Sequence, residues 1–337
     1  MKQLKSLLIV ILFVAACKTV VDKPDFSKPV VLENTPAPIV PGGWRKMGDF
    51  FNINAENVHF AFTLKNKAYF QVDMIYQELL SDFWEYDPST NKFTAKAKLP
   101  GREDKEDRND RCFSIAVGDK GFFGLGNYWR GGLNQIWEYD PDFNTWTRKA
   151  DFPRRNTNRP GTFTLNGKIY FWGWQEYDGY RTDSLFEYDL ITDRWTDRTV
   201  HYPGYSKGLS ELVVAVDGKA YAWGLDYAAN TYRLFQYDPV MNIITNLSEP
   251  QLQFAAQVFY VFGSDLYLYC GAKNLNSFVY TNEIWKYSTI NKTWEKQKDF
   301  DGPIRSNAFG FTIGSKAYIC FGRNGGTEYN DIWEHNP

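Results

Sequence analysis

Histidine is almost absent: His59, His201 and His335 are the only three in a chain of 337 residues. No two of them stand at metal-ligand spacing, which argues against copper or zinc chemistry and leaves no metal site to assign. Cysteine is scarce as well. Cys17, Cys112, Cys270 and Cys320 match no zinc pattern and are too few for a disulfide scaffold. An excess of basic charge is also missing. The 38 Lys and Arg face 40 Asp and Glu, a net charge of -2, so no field draws in nucleic acid. Few long helical patterns follow the first fifteen residues. What is plentiful is aromatic: 12 Trp, 22 Tyr and 26 Phe make up 18% of the chain. Such rings pack well on pleated surfaces. Length and composition together point to a globular all-β protein with a sizeable core.

Residues 1–17 read as a signal peptide, with Lys2 and Lys5 ahead of the apolar run Leu7 to Val14 and then small residues. The run is short for a bilayer span. Val14-Ala15-Ala16-Cys17 resembles a bacterial lipobox, which implies cleavage before Cys17 and a diacylglycerol on its thiol. Acyl chains on one residue would hold the protein at a membrane. Lys18 follows the cysteine instead of Asp, which by resemblance to proteobacterial sorting permits transfer to an outer membrane, on a face left open. Residues 18–43 carry Pro24, Pro29, Pro36, Pro38 and Pro41 and almost no aromatic residue. They are expected to form a proline-stiffened tether with a reach on the order of 80 Å.

The remainder, residues 44–337, repeats itself. Trp84, Trp137, Phe186, Phe235, Trp285 and Trp333 each follow an apolar residue and precede a short polar-aromatic tail such as Glu85-Tyr86-Asp87-Pro88. Their intervals are 53, 49, 49, 50 and 48 residues. Nine residues after the anchor comes Phe93, Trp146, Trp195, Ile244 or Trp294, the spacing of two strands around a tight turn opened by Asp-Pro. About sixteen residues before it lies another strand, such as Lys168-Ile169-Tyr170-Phe171, most copies ending in glycine (Gly124, Gly173, Gly224, Gly271, Gly322). An inner strand such as Pro160 to Leu165 precedes that one. Four strands per repeat, a to d, make one blade of a β-propeller.

These six copies resemble kelch repeats, although a single glycine mostly replaces the family's glycine pair and the first copy has none at Gln71-Val72. The resemblance implies a six-bladed kelch-type propeller over 44–337. The chain ends at Pro337 straight after the last strand c, while Trp44-Arg45-Lys46-Met47-Gly48-Asp49-Phe50 looks like Trp146-Thr147-Arg148-Lys149-Ala150-Asp151-Phe152. The N-terminal strand near Trp44 is therefore expected to close the last blade beside Trp333. Cys270 and Cys320 fall one position out of register in equivalent strands, so free thiols are expected.

In kelch propellers the d–a and b–c loops surround the channel mouth, and the resemblance places ligands there. The b–c loops are rich in aromatic and polar groups: Tyr128 and Trp129, Trp174 and Tyr177, Tyr227, and Arg323. Single rings are more often buried packing, but the cluster suits sugars or peptide segments. Near the start of strand a, Arg305 holds the position at which the family often carries Arg. Arg111 and Arg159 lie two residues further on, so alternation aims all three alike. They would favour an anion. The alternative is pairing with carboxylates such as Glu103, Asp107, Asp110 or Asp301.

The leading expectation is a non-enzymatic, monomeric binding module for a glycan or protein, needing no cofactor and anchored at a bacterial envelope. Galactose oxidase shares kelch repeats but uses a copper site of two His and two Tyr, which this sequence does not match. The bacterial sialic acid mutarotases, also six-bladed, suggest a sugar-modifying alternative in which Glu176 and Arg181 act as a weak catalytic pair. A structural subunit of an envelope assembly is the third possibility.

Overall fold

A computed structural model describes residues 30–31, 42–50, 57–73, 83–100, 112–125, 134–154, 160–175, 181–200, 212–226, 229, 231–247, 258–269, 271–272 and 279–336. Six antiparallel sheets follow one another, each built as a, b, c, d from the inside outward. In blade III, for example, Gly161–Leu165 pairs with Lys168–Gln175, which pairs with Arg181–Asp189, which pairs with Arg194–Asp197. The inner strands form a ring: each touches the next, and Phe309–Ile313 of blade VI returns to Asn57–Leu64 of blade I. The described residues contain no helix. The fold is a six-bladed β-propeller.

Local chemistry explains the blades. The a–b turns at Lys65-Asn66, Asn166-Gly167 and Asp217-Gly218 have both central residues at positive φ, the mirror-image turn that matches strand twist. In the c–d turns an aspartate carboxylate accepts turn amides: Asp189 Oδ1 takes those of Ile191 and Thr192, and Asp238 Oδ1 those of Val240 and Met241. Next comes a left-handed residue, Asn91, Asn144, Asp193 or Asn242, whose side-chain oxygen accepts the hydroxyl of Tyr86, Tyr139, Tyr188 or Tyr237 on strand c. The same oxygens reach across blades. Asn144 Oδ1 also accepts the Ala97 amide while the Trp146 indole donates to the Ala97 carbonyl, and Asp193, Ala150 and Trp195 repeat the arrangement.

The core is six apolar clusters, one between each pair of neighbouring blades. Within them an aromatic residue of strand a stacks on the strand-b tyrosine, as in Phe163 on Tyr170 (4.9 Å, 4°) and Phe311 on Tyr318 (4.8 Å, 9°). Gly124 sits where a Cβ would lie 2.1 Å from the Gln135 carbonyl oxygen, so a side chain would push strands b and c apart.

Three buried carboxylates cross-link their blades. Glu85 accepts Lys67 (2.6 Å) and Tyr69 (2.8 Å), with Lys96 at 3.2 Å. Glu187 takes Lys168, Tyr170 and Arg198, and Glu334 takes Lys316, Tyr318 and Arg45. Burial alone would raise these carboxyl pKa values. The hydrogen bonds and nearby cations outweigh it and hold all three below the ordinary glutamate range. Blade V reverses the charges: Asp265 stands at the lysine position and Lys286 at the glutamate position, and Lys286 bonds outward to Glu295 (2.8 Å).

Ring closure follows the sequence expectation. Trp44–Asp49 is strand d of blade VI, with Trp44 opposite His335, Lys46 opposite Trp333 and a bulge before Gly48. His335 stacks on Trp44 at 4.7 Å and 16°. Within the stretch expected to be a tether, Val30–Val31 pairs with strand d of blade I as a fifth strand, and most of residues 18–43 lies outside the described residues. An outermost strand leaves N–H and C=O groups open, and two β-branched residues suit that edge. Cys320 is free and buried, and Cys112 is free and half-buried; Cys270 lies outside the described residues.

Candidate functional site

All six strands c run away from one face of the ring, so the b–c connections, like the d–a connections, gather on that face. Most of both sets falls outside the described residues. That includes Arg111, Tyr128, Trp129, Arg159, Glu176, Tyr177 and Tyr227. Trp174 and Arg181 are described as backbone alone, at the open end of the blade III hairpin, where Trp174 pairs with Thr182 and Gln175 with Arg181. In blade IV, Asp226 at the end of strand b lies 3.0 Å from the Arg233 Nε of strand c, beside a Trp223–Tyr232 stack.

The face is described most fully at blade VI. Arg323–Asn324 and Thr327–Glu328 form a small exposed hairpin turned by Gly325 and Gly326. Its base is stitched to the incoming d–a segment. The Ser306 amide donates to the Arg323 carbonyl (2.7 Å) and the Arg323 amide returns to the Ser306 carbonyl (2.8 Å). Gly322, at φ +99°, makes this approach possible, since a Cβ there would meet the Ser306 carbonyl oxygen at 2.6 Å.

Beneath the hairpin lies Arg305, fully buried. Its Nη1 and Nη2 donate to the two carboxylate oxygens of Asp331 at 2.5 and 3.0 Å. Nη1 also reaches the Phe321 carbonyl (2.8 Å), and Nε reaches the Pro303 carbonyl (3.1 Å). The guanidinium packs over Tyr329 (4.5 Å) and Phe300 (5.3 Å), and the Trp333 indole donates to Asp331 Oδ2. A buried cation with this many partners is a bidentate brace. The sequence expectation for Arg305 is an anion at the mouth or a pairing with Glu103, Asp107, Asp110 or Asp301, of which the first three lie outside the described residues. Arg305 pairs instead with Asp331 on strand c, because that carboxylate projects into the same closed space. Arg323, by contrast, is exposed on the hairpin.

Two other groups have settled roles. Burial pushes the Cys320 thiol well above its usual pKa, with Arg305 opposing more weakly, which disfavours the thiolate. His335 belongs to the closure, and burial holds its imidazole below the ordinary histidine pKa.

Sequence reasoning missed a recurring clasp at this face. Asn134, Asn282 and Asn330, three residues before their anchors, each donate a side-chain amide to the carbonyl of Phe152, Phe300 or Phe50. The backbone amides of those phenylalanines return to the same asparagines. Asn three before the anchor and Phe fifteen after it were legible as a pattern. Asp331 was likewise visible two residues before Trp333.

The solved structure titled "Structure of YjhT" superposes with a TM-score of 0.63 at 17% identity, over 82% of this chain and 93% of that one. The likeness agrees with the six-bladed β-propeller fold. No family model and no curated protein matches it. Because 622 solved chains share the likeness, the propeller by itself does not select a function.

Proposed function

We propose that this chain is a binding module for a glycan or a protein segment, held at a bacterial envelope by an acylated Cys17. The ring topology carries the reading. Tyr128 and Trp129 stand between strands b and c of blade II, Trp174 and Tyr177 at that junction in blade III, and Tyr227 in blade IV. Consecutive blades thus contribute aromatic residues to one face of a body braced by Arg305 and the asparagine clasps. Aromatic residues in these loops, together with Arg111, Arg159 and the exposed Arg323, are of the types that suit pyranose faces and acidic or hydroxylated fringes. Arg305 supports the face from below.

A glycan array probed with the full chain tests this. Trp129→Ala and Tyr177→Ala should each weaken the best hit at least about tenfold, within the usual range for a contacting ring. Unchanged binding in both would overturn the assignment of the face. The mass of the N-terminal peptide of membrane-extracted protein tests the acyl group on Cys17 separately.

A second reading starts from the pairing of Gln175 with Arg181, since Glu176 follows Gln175 directly in the sequence. A carboxyl beside a guanidinium can move a proton at a sugar ring. Sialic acid mutarotation followed by NMR, and lost on Glu176→Gln, would establish the enzyme over the binding module.

A further inference from the structure

The face opposite the candidate site carries an unexplained feature. Five large apolar side chains project from the c–d turns of four consecutive blades. They are Phe143 (77% exposed), Ile191 (96%), Val240 (90%), Met241 (66%) and Ile290 (77%). Turn tips are ordinarily polar. Blade I provides an internal control: its turn, built with the same aspartate cap and the same left-handed asparagine, carries Ser89 and Thr90 at the tip. The turn therefore does not require an apolar tip. Blades II to V have one, and blades I and VI do not.

We propose that the c–d turns of blades II to V rest on a lipid bilayer and dip these side chains into its interface. Two observations select a bilayer over a protein partner. The tips stand on separate blades, so each projects on its own, and a fluid apolar phase accepts such side chains independently. The carboxylates beside them are neutralised: Asp140 by Lys120 (2.6 Å), Asp142 by Lys65 (2.5 Å), Asp189 by Lys168 (3.4 Å) and Asp238 by Lys219 (3.5 Å). These four pairings reduce the repulsion that the carboxylates would meet from phosphate head groups.

The tether permits this pose. Val30–Val31 runs antiparallel to strand d of blade I, with Val31 nearer the c–d turn and Val30 further from it. Residues 18–29 are twelve in number. Extended, they reach roughly 40 Å. The longest strand of the ring has nine residues, or about 30 Å. The leash can therefore pass the blade and bring Cys17 to the bilayer, while the aromatic-rich face points away from it. The inference shares the membrane setting proposed above but does not depend on acylation.

The test is amide exchange of the full chain on phosphatidylcholine vesicles, as isolated and as Cys17→Ser. Amides at 140–144, 189–193, 238–242 and 288–292 should exchange several-fold more slowly with vesicles than without. Those at 87–91 in blade I should not change. Replacing the five tips with serine should abolish the protection and leave melting unaltered, since the residues are exposed. Protection should persist at high salt. Equal exchange in all five turns, protection that survives the serine variant, loss of protection in salt, or failure of both proteins to associate with vesicles would each overturn the proposal. The mass of the Cys17 peptide reports the anchor independently, so the two ideas fail separately.

Discussion

Deleting residues 44–50 should remove most of the stability of the propeller. Trp44, Met47 and Phe50 are all buried at the seam between blades VI and I or against blade V. Burying three such side chains contributes about 5 to 9 kcal/mol, and allowing for a compact unfolded chain lowers this to about two thirds. Whole domains have a net stability of about 5 to 15 kcal/mol. The deletion also strips Glu334 of Arg45, 2.7 Å away, and leaves a buried carboxylate with one cation fewer. Trp44→Ala is the graded version. It removes the stack on His335 and the edge contact with Phe300 at 5.0 Å, at a cost of about 3 to 5 kcal/mol. For a domain of this size that corresponds to a melting temperature lower by roughly 5 to 8 °C. Circular dichroism melts of both variants check it. A third variant, with residues 42–50 moved to follow His335 through a short turn, should recover the parental melt because the strand is restored. Deletion and Trp44→Ala melts within about 2 °C of the parent would refute the closure argument.

Other expectations concern titration and core polarity. Glu85, Glu187 and Glu334 have folded-state pKa values below their unfolded ones, so their stabilisation is present above about pH 4.5 and is lost as pH falls through the folded values. Urea midpoints should drop steeply in that acid window, and the triple Glu→Gln variant, although less stable at neutral pH, should show a flatter profile. His335 is lowered by burial, so the unfolded chain binds its proton first and stability should already decline as pH falls below about 6.5. His335→Phe should remove that shallower phase, read from the same midpoints. Tyr260 stacks on Tyr267 where blades III and VI use phenylalanine, and its buried hydroxyl has no partner among the described residues. Tyr260→Phe should raise stability by about 1 kcal/mol in chemical denaturation.

Much of this protein was determined by its sequence. The six anchors, the constant nine-residue step to strand d and the likeness of Trp44–Phe50 to Trp146–Phe152 identify the blade count and the closing strand. Both rest on local period and pairing chemistry that a linear reading can see. Even the mirror-image turns are visible as Asn166-Gly167 and Asp217-Gly218. Tertiary structure decided what depends on which groups meet across blades. Alternation along strand a could aim Arg305 but could not show that Asp331, 26 residues on, closes over it. Composition made residues 18–43 read as a tether, and the pairing of Val30–Val31 with blade I needed the open sheet edge to be seen. The apolar tips of blades II to V were present in the sequence as ordinary hydrophobic letters. They became a surface only when the ring placed four turns on the same side, because exposure is a property of the packed whole and no residue carries it alone.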